Sequence, residues 1–269
     1  MTSSKIYLYP NDEDTAKSLL SCLTSTFEGS GLEPIIRPLN NNNDVIYEFL
    51  EPLVNTEEIQ KCHLMINLPT DYSLDEVQIE EIIGNLRETL DYERVKEMTK
   101  SFVIDFEPVI DYSDEEQVYD KIKNITSLIN ELVSNFSLPV TLYISPSRFQ
   151  PEVQNIQARD GFFELAETIK ESNGSIQLPL YTDPDPVRID DIITSKEVLS
   201  DLGVKIDYLF GIHHSFSNLS DRIQQIISNN LLDTNYELSF YQLSPRDTED
   251  QILTLHSNYL KVISSITTP

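Results

Sequence analysis

The sequence predicts a single (β/α)8 barrel that spans residues 1–269, and two regularities lead to this prediction. Eight short apolar runs alternate with amphipathic stretches, which is the count and order of strands and helices in that fold. Seven of the runs are followed at once by a proline, which lacks a backbone donor and holds its predecessor in an extended conformation. The prolines therefore mark where strands leave the sheet. The junctions are Tyr9-Pro10, Arg37-Pro38, Leu68-Pro69, Glu107-Pro108, Ser145-Pro146, Asp183-Pro184 and Ser244-Pro245.

The eight predicted strands are short, rich in Ile, Leu, Val, Phe and Tyr, and bounded by turn residues. They cover residues 5–9, 34–39, 62–68, 101–107, 139–145, 176–183, 206–213 and 236–243. Between them, apolar residues recur at helical spacing, most clearly in 14–27, 115–133, 219–232 and 248–266. The long connection at 73–100 has room for two helices, because Asp91-Tyr92-Glu93 interrupts its apolar spacing.

The alternation of strands with helices favours parallel strands joined by right-handed crossovers. A doubly wound open sheet is the competing architecture. The eight units, and the lack of a glycine-rich phosphate turn after the first strand, favour a closed barrel. Functional sites of such barrels lie at the C-terminal ends of the strands, so candidate site residues are sought at the strand exits.

The charge balance restricts the partners of the chain. It carries 45 acidic and 19 basic residues, a formal net charge of -26. Because a field of this sign repels nucleic acids and anionic membranes, neither is an expected partner. The ordinary interpretation is a self-repelling, soluble surface, and the more specific one is attraction of a cationic ligand or partner.

The cysteine content and the lack of targeting segments predict a cytoplasmic protein. Cys22 and Cys62 are the only cysteines, too few for a disulfide scaffold or a cysteine metal cluster. The N-terminus lacks a basic region followed by an apolar stretch, and no segment approaches the roughly 18 apolar residues of a membrane span. The oligomeric state stays open.

The alternation of side chains along each strand predicts which of them point into the barrel. In each strand the more apolar set is assigned to the helix-facing side, and the other set to the barrel axis. At the strand exits, the inward set combines carboxylates, phenols, an arginine and an imidazole, as a binding or active site would. Its members are Tyr9, Arg37, Asn67, Asp105, Glu107, Tyr143, Ser145, Tyr181, Asp183, His213 and Tyr241.

Asp105 and Glu107 place two carboxylates on one face of strand four, with Cα atoms about 6–7 Å apart. Carboxylates this close repel each other when both are ionised, which is the arrangement that a general acid needs. The alternative is that Asp105 binds backbone or Arg37 while Glu107 is solvated at the rim. Tyr181 and Asp183 add a phenol and a third carboxylate from strand six, although Asp183-Pro184-Asp185-Pro186 is also a strong turn signal.

His213 could complete a metal site with Glu107 and Asp183, but no second histidine is predicted at this end of the barrel. A histidine that contacts substrate or Glu107 is therefore favoured, and no metal is assigned. No lysine falls at a strand exit and no glycine-rich loop follows a strand, so neither Schiff-base chemistry nor a cofactor is expected. The expected ligand is a small molecule or carbohydrate in the barrel mouth, bound by Tyr9, Arg37, Asn67, Tyr143, His213 and Tyr241.

Two short segments resemble motifs of the family 18 glycoside hydrolases, which are (β/α)8 barrels. Residues 103–107, Val-Ile-Asp-Phe-Glu, resemble the end of the strand-four motif D-x-x-D-x-D-x-E, and residues 180–183, Leu-Tyr-Thr-Asp, resemble the strand-six motif M-x-Y-D with Leu in place of Met. The resemblance implies that Glu107 is the general acid, that Asp105 orients the acetamido group of the substrate, and that Tyr181 and Asp183 support the reacting sugar.

The chain departs from that family in two respects. Lys100 and Val103 stand where the first two motif aspartates would be, and the chain contains no tryptophan to lie under the sugar, which leaves Tyr241 as a stacking surface. Three hypotheses therefore follow from the sequence. The first is a glycoside hydrolase that uses Glu107 and Asp105, the second a metal-dependent isomerase or lyase that uses carboxylates and His213, and the third a non-catalytic barrel that binds a ligand or protein.

Overall fold

The structure is a computed structural model that describes residues 4–10, 12–36, 51–66, 68–69, 74–107, 115–149, 156–181, 187–213, 218–232, 236–244 and 246–267. Eight parallel strands close into a barrel in chain order, and the last strand pairs with the first. The predicted (β/α)8 barrel is confirmed. The strands are β1 (Ser4–Leu8), β2 (Leu32–Ile36), β3 (Cys62–Ile66), β4 (Thr99–Asp105), β5 (Val140–Tyr143), β6 (Ser175–Pro179), β7 (Lys205–Gly211) and β8 (Tyr236–Leu243).

Helices pack around this barrel. They are α1 (Glu13–Thr26), α2 (Glu76–Leu90), α3 (Glu93–Met98), α4 (Glu115–Phe136), α5 (Ile156–Glu171), α6 (Ile189–Leu202), α7 (Leu219–Ser228) and α8 (Glu249–Thr267). A 3-10 turn at Pro146–Phe149 follows β5, and residues 51–54 form a further helical segment. The two helices expected in the long connection at 73–100 are present as α2 and α3. None of the helices among the described residues combines the length and the hydropathy needed to cross a membrane.

The starts of α1 and α2 are fixed by side chains that satisfy the first backbone amides. The Asp12 carboxylate accepts a hydrogen bond from the Thr15 amide at 2.8 Å, and the Thr15 hydroxyl is 2.9 Å from the Asp12 amide. Asp75 caps α2 in the same reciprocal way. Because these pairs satisfy amides that have no partner within the helix, they define where each helix begins.

Most strands end before the proline that marks the exit in the sequence. β4 ends at Asp105 and β6 at Pro179. Backbone pairing continues one residue beyond the end of β4, where the Phe106 amide donates to the Tyr143 carbonyl at 3.1 Å. A proline controls the backbone shape of the residue before it, not whether that residue is paired. The prolines therefore locate the exits to within a few residues and overestimate the strand lengths.

Charged side chains fill the barrel near the N-terminal ends of the strands. The fully buried Asp207 carboxylate accepts hydrogen bonds from Lys5 Nζ at 3.1 Å, Gln177 Nε2 at 2.9 Å and Ser239 Oγ at 2.7 Å. Lys5 Nζ also lies 2.5 Å from Glu237 Oε2. We call these five residues the buried charge network. Its charges lie inside the barrel because each is paired, which offsets much of the cost of removing it from water.

The next interior layer is apolar and aromatic. It consists of Tyr7, Ile35, Met65, Val103, Tyr143 and Leu209. The larger core lies outside the barrel, where alternate strand residues such as Phe102, Ile104 and Phe106 pack beneath the helices and are fully buried. The predicted division of β4 into helix-facing and inward-facing residues is therefore correct.

Because of Glu237, we expect the free energy of unfolding of the barrel to decrease at acidic pH. Burial alone would raise the pKa of this carboxyl, but the ion pairs with Lys5 and Lys205 outweigh it and lower the pKa to about 2. A fall from about 4.5 to about 2 corresponds to about 3 kcal/mol of stability at neutral pH. Since the folded pKa is the lower one, this contribution is present above about pH 4.5 and is lost as the pH falls towards 2.

The measurement is urea unfolding of the wild type and Glu237→Gln at about pH 7, 5 and 3. The glutamine variant should be less stable at neutral pH, and its deficit should shrink as the pH falls. A deficit that stays constant across this range would show that the carboxylate charge is not the stabilising element.

Candidate functional site

A cavity of about 590 Å³ opens at the C-terminal ends of the strands. This is the end of the barrel at which the sequence places the site, and the size suits a small-molecule ligand. The cavity combines aromatic rings with acidic and hydroxyl side chains. Its lining residues are Tyr7, Tyr9, Asp105, Glu107, Tyr143, Ser145, Ser147, Pro179, Tyr181, Val187, Arg188, Asp191, Leu209 and Tyr241.

Four tyrosines form a continuous group of rings in this cavity, which we call the tyrosine cluster. The Tyr241 ring centroid lies 5.9 Å from that of Tyr7, 5.6 Å from that of Tyr9 and 5.5 Å from that of Tyr181. The Tyr7 and Tyr9 rings stack at 6.0 Å. Since Tyr9, Tyr181 and Tyr241 are only half-buried, the cluster presents aromatic surface to a ligand.

Asp105 is the last residue of β4, Glu107 follows two residues later, and both line the cavity. Asp105 is half-buried, and Glu107 is exposed. In the sheet, Asp105 pairs with Tyr143 of β5, and the Tyr143 phenol is hydrogen-bonded to the Glu107 carboxylate. The Tyr143 hydroxyl therefore ties the end of β5 to the candidate general acid.

Three phenols of this site, those of Tyr7, Tyr143 and Tyr181, stay protonated at neutral pH. Burial raises the pKa of Tyr143, and the neighbouring negative charges of Glu107 and Asp105 raise it further. Burial likewise raises the pKa values of Tyr7 and Tyr181 well above the ordinary range. These three side chains therefore act as neutral hydrogen-bond donors and not as bases.

Tyr7 joins the cavity to the buried charge network. Its hydroxyl lies 2.5 Å from Gln177 Oε1, and the amide nitrogen of Gln177 donates to Asp207. The floor of the cavity is therefore held by hydrogen bonds that continue towards the opposite end of the barrel.

The structure brings together seven of the eleven residues selected from the sequence: Tyr9, Asp105, Glu107, Tyr143, Ser145, Tyr181 and Tyr241. Arg37, Asn67 and Asp183 lie outside the described residues. His213 is not among the described residues that line the cavity, and its Nε2 lies 2.9 Å from Asp247 Oδ1. The β7 strand ends at Gly211, so the alternation that assigned His213 to the interior does not extend to it.

Sequence reasoning missed a set of residues that reach the cavity from beyond β6. Val187 and Arg188 precede α6, and Asp191 lies in its first turn. An acidic residue in the first turn of a helix is ordinarily explained by the helix dipole, so the pattern carries no separate signal for a site. Only the folded chain shows that Asp191 is a third carboxylate of the same cavity.

The described residues do not offer a metal site. In the parts of the chain that the structure describes, no three His, Cys, Asp or Glu side chains come together in the way that metal binding requires. The isomerase or lyase hypothesis depends on Asp183, which lies outside those parts, and on His213, which binds Asp247.

The fold and this site define the chain as a (β/α)8 barrel with an aromatic, acidic cavity at the strand exits. No family model matches the chain, and no curated protein matches its sequence. Solved structures are similar to it in fold, with sequence identities of 15% or less in the examples that follow.

One is a GH18 chitinase from Pseudoalteromonas aurantia, with a TM-score of 0.55 and 14% identity over 96% of this chain and 100% of the other. A second is the IOLI protein with a binding zinc atom, with a TM-score of 0.59 and 15% identity over 100% of both chains. A third is a D-allulose 3-epimerase from Methylomonas sp. in complex with D-allulose, with a TM-score of 0.56 and 9% identity over 98% of this chain and 96% of the other. Because these proteins differ in chemistry, the similarity shows a fold that enzymes use and does not distinguish among reactions.

Proposed function

We propose that this barrel hydrolyses a glycosidic bond, with Glu107 as the acid/base residue. The observation that carries the proposal is the position of Glu107 in the cavity, held by the Tyr143 phenol, beside Asp105 and near the tyrosine cluster. Glycoside hydrolysis needs a carboxyl group that delivers a proton and a second carboxylate that stabilises positive charge on the sugar. Aromatic rings that line such a cavity offer flat apolar surfaces to a sugar ring.

In this mechanism the Glu107 carboxyl transfers its proton to the glycosidic oxygen as the bond from that oxygen to the anomeric carbon breaks. The negative charge of Asp105 stabilises the positive charge that develops on the sugar. Water then adds to the anomeric carbon and returns a proton to Glu107, which restores the carboxyl group. Tyr143 is a positioning residue, because its hydroxyl contacts Glu107 and not the bond that breaks.

The resemblance to the family 18 motifs supports the role of Glu107 as the general acid, and it makes Asp105 a residue that acts on the same sugar. Asp183, assigned to the reacting sugar by that resemblance, stays a proposal, as do Arg37 and Asn67 as ligand-binding residues. The ligand itself is proposed to be a carbohydrate or similar small molecule in the barrel mouth.

One observation favours binding without turnover as the second candidate function. Val103, which stands where the family 18 motif has an aspartate, is fully buried in the apolar interior layer. Asp105 therefore has an apolar neighbour beneath it on the same face of β4, where the motif would supply a second carboxylate.

The test of the proposed function is hydrolysis of a panel of chromogenic aryl glycosides by the wild type, Glu107→Gln and Glu167→Gln. Glu107→Gln should lower kcat/KM by about 100- to 10,000-fold, the usual contribution of a general acid or base. Glu167 is an exposed residue of α5 outside the cavity, so Glu167→Gln is the matched control and should retain full activity.

Thermal melting of both variants should show that they remain folded. Undiminished hydrolysis by Glu107→Gln would remove Glu107 from the mechanism. Failure of the wild type on the whole panel, with glycosides still bound, would favour the barrel that binds without turnover.

A further inference from the structure

The strand-exit cavity is lined by aromatic rings and acidic side chains, and we propose that its ligand carries a positive charge. The class of ligand is a protonated amine or a quaternary ammonium group. The inference rests on the proposed function in one respect, the substrate. If the barrel hydrolyses glycosides, its substrate is a glycoside of an amino sugar with a free amine.

The tyrosine cluster is the first of three observations that support this inference. Its four rings lie within 6.0 Å of one another in the pairs that contact, and all four line the cavity. The face of an aromatic ring is negative and attracts a cation within about 6 Å of its centre. Several rings around one space form a cage that favours an ammonium group over a neutral group of the same shape.

The charged side chains of the cavity are the second observation. The cavity is lined by three acidic residues, Asp105, Glu107 and Asp191, and Arg188 is the one basic residue among its described lining residues. The Arg188 side chain is 74% exposed, and its Nη2 lies 3.9 Å from Asp190 Oδ2. Its guanidinium therefore extends largely into solvent, and the described lining carries an excess of negative charge.

The distribution of charge along the barrel axis is the third observation. A smaller cavity of about 200 Å³ at the N-terminal ends of the strands is lined by four lysines, Lys5, Lys61, Lys100 and Lys205, and by two glutamates, Glu33 and Glu237. The charged residues of this lining therefore carry a small excess of positive charge at the end opposite the candidate site. In a chain of net charge -26, this separation makes the potential at the strand exits more negative than the overall charge alone would.

The experiment compares choline with its neutral isostere 3,3-dimethylbutan-1-ol, which has the same shape without the charge. Both are titrated into the whole protein by calorimetry or by NMR of the tyrosine rings. Choline should bind about five- to thirty-fold more tightly than the isostere, the range that cation–π contacts supply. Added salt should weaken choline binding and leave the isostere unchanged.

Three variants locate this preference in the cavity. Tyr241→Phe keeps the ring and should keep the preference for choline, whereas Tyr241→Leu should reduce it about five-fold or more. Asp191→Asn removes only the charge, so it should weaken the binding of choline and leave the binding of the isostere unchanged. If Tyr241→Leu does not fold, the comparison of the wild type with Asp191→Asn still decides the matter.

The inference fails if the isostere binds as tightly as choline, or if neither ligand binds. Its failure is distinguishable from that of the proposed function. A preference for choline without hydrolysis of any glycoside would leave the cation site in place and reject the hydrolase. Hydrolysis that depends on Glu107, without a preference for choline, would support the hydrolase and reject the cation site. If both hold, wild-type kcat/KM at about pH 6 should be higher for a glucosaminide, whose amine is protonated, than for the neutral N-acetyl form.

Discussion

Gly174→Ala is expected to destabilise the barrel at or beyond the upper end of the usual range of about 1–3 kcal/mol for an overpacked core. A Cβ atom built at Gly174 would lie 1.9 Å from the carbonyl oxygen of Val140 and 2.8 Å from Ser172 Oγ. The first of these atoms belongs to the backbone of β5, so a side-chain rotation cannot relieve the clash. Either the start of β6 or β5 must shift, and both strands belong to the closed barrel.

Gly84→Ala is the matched control, because no atom apart from the adjoining backbone of its own helix lies within 4 Å of a Cβ built there. Gly84 lies inside α2, where alanine is favoured over glycine by about 0.5–1 kcal/mol. Urea unfolding of the two variants should therefore give changes of opposite sign. Similar small effects at both positions would mean that the approach of β5 to Gly174 is looser than the structure shows.

Lys5→Met is expected to cost about 3–5 kcal/mol, the usual result of removing one partner of a buried ion pair. Lys5 is 2% exposed and contacts both Asp207 and Glu237. Without it, the Asp207 carboxylate stays fully buried with two neutral donors, Gln177 and Ser239. An uncompensated charge of this kind in the barrel interior is costly because little water is available to solvate it.

Lys205→Met supplies the control, since Lys205 contacts the same Glu237 but has a side chain that is 36% exposed. Ion pairs at the surface contribute about 0–1 kcal/mol, so this change should be small. The free energy of unfolding, measured in urea at neutral pH, should therefore separate the two lysine variants by several kcal/mol. Equal losses would indicate that the buried charge network does not depend on Lys5.

The fold was largely predictable, because its signals are local and periodic. Prolines after the strands, apolar helix faces and the interruption at residues 91–93 are each visible within a short window of sequence. The exact strand ends were not predictable in the same way. They depend on which backbone groups find a partner on the neighbouring strand, and that is a property of two distant segments at once.

The candidate site was predictable only where a residue lies within or just beyond a strand. Alternation correctly placed Asp105, Tyr143 and Tyr241 at the cavity, because the side chains of a strand must alternate between its two faces. It did not place His213, which lies beyond the end of β7 and binds Asp247. It also gave no indication of Asp191, which reaches the cavity from a helix.

The sequence by itself determined that this chain forms eight strand–helix units, and it indicated that acidic and phenolic side chains lie at the strand exits. Those properties follow from period, composition and proline chemistry, which act over a few residues. The tertiary structure alone decided that Tyr143 holds Glu107, that four tyrosine rings meet, and that Lys5 is buried against Asp207. These contacts join residues on different strands, so they exist only once the barrel has closed and set the register between them.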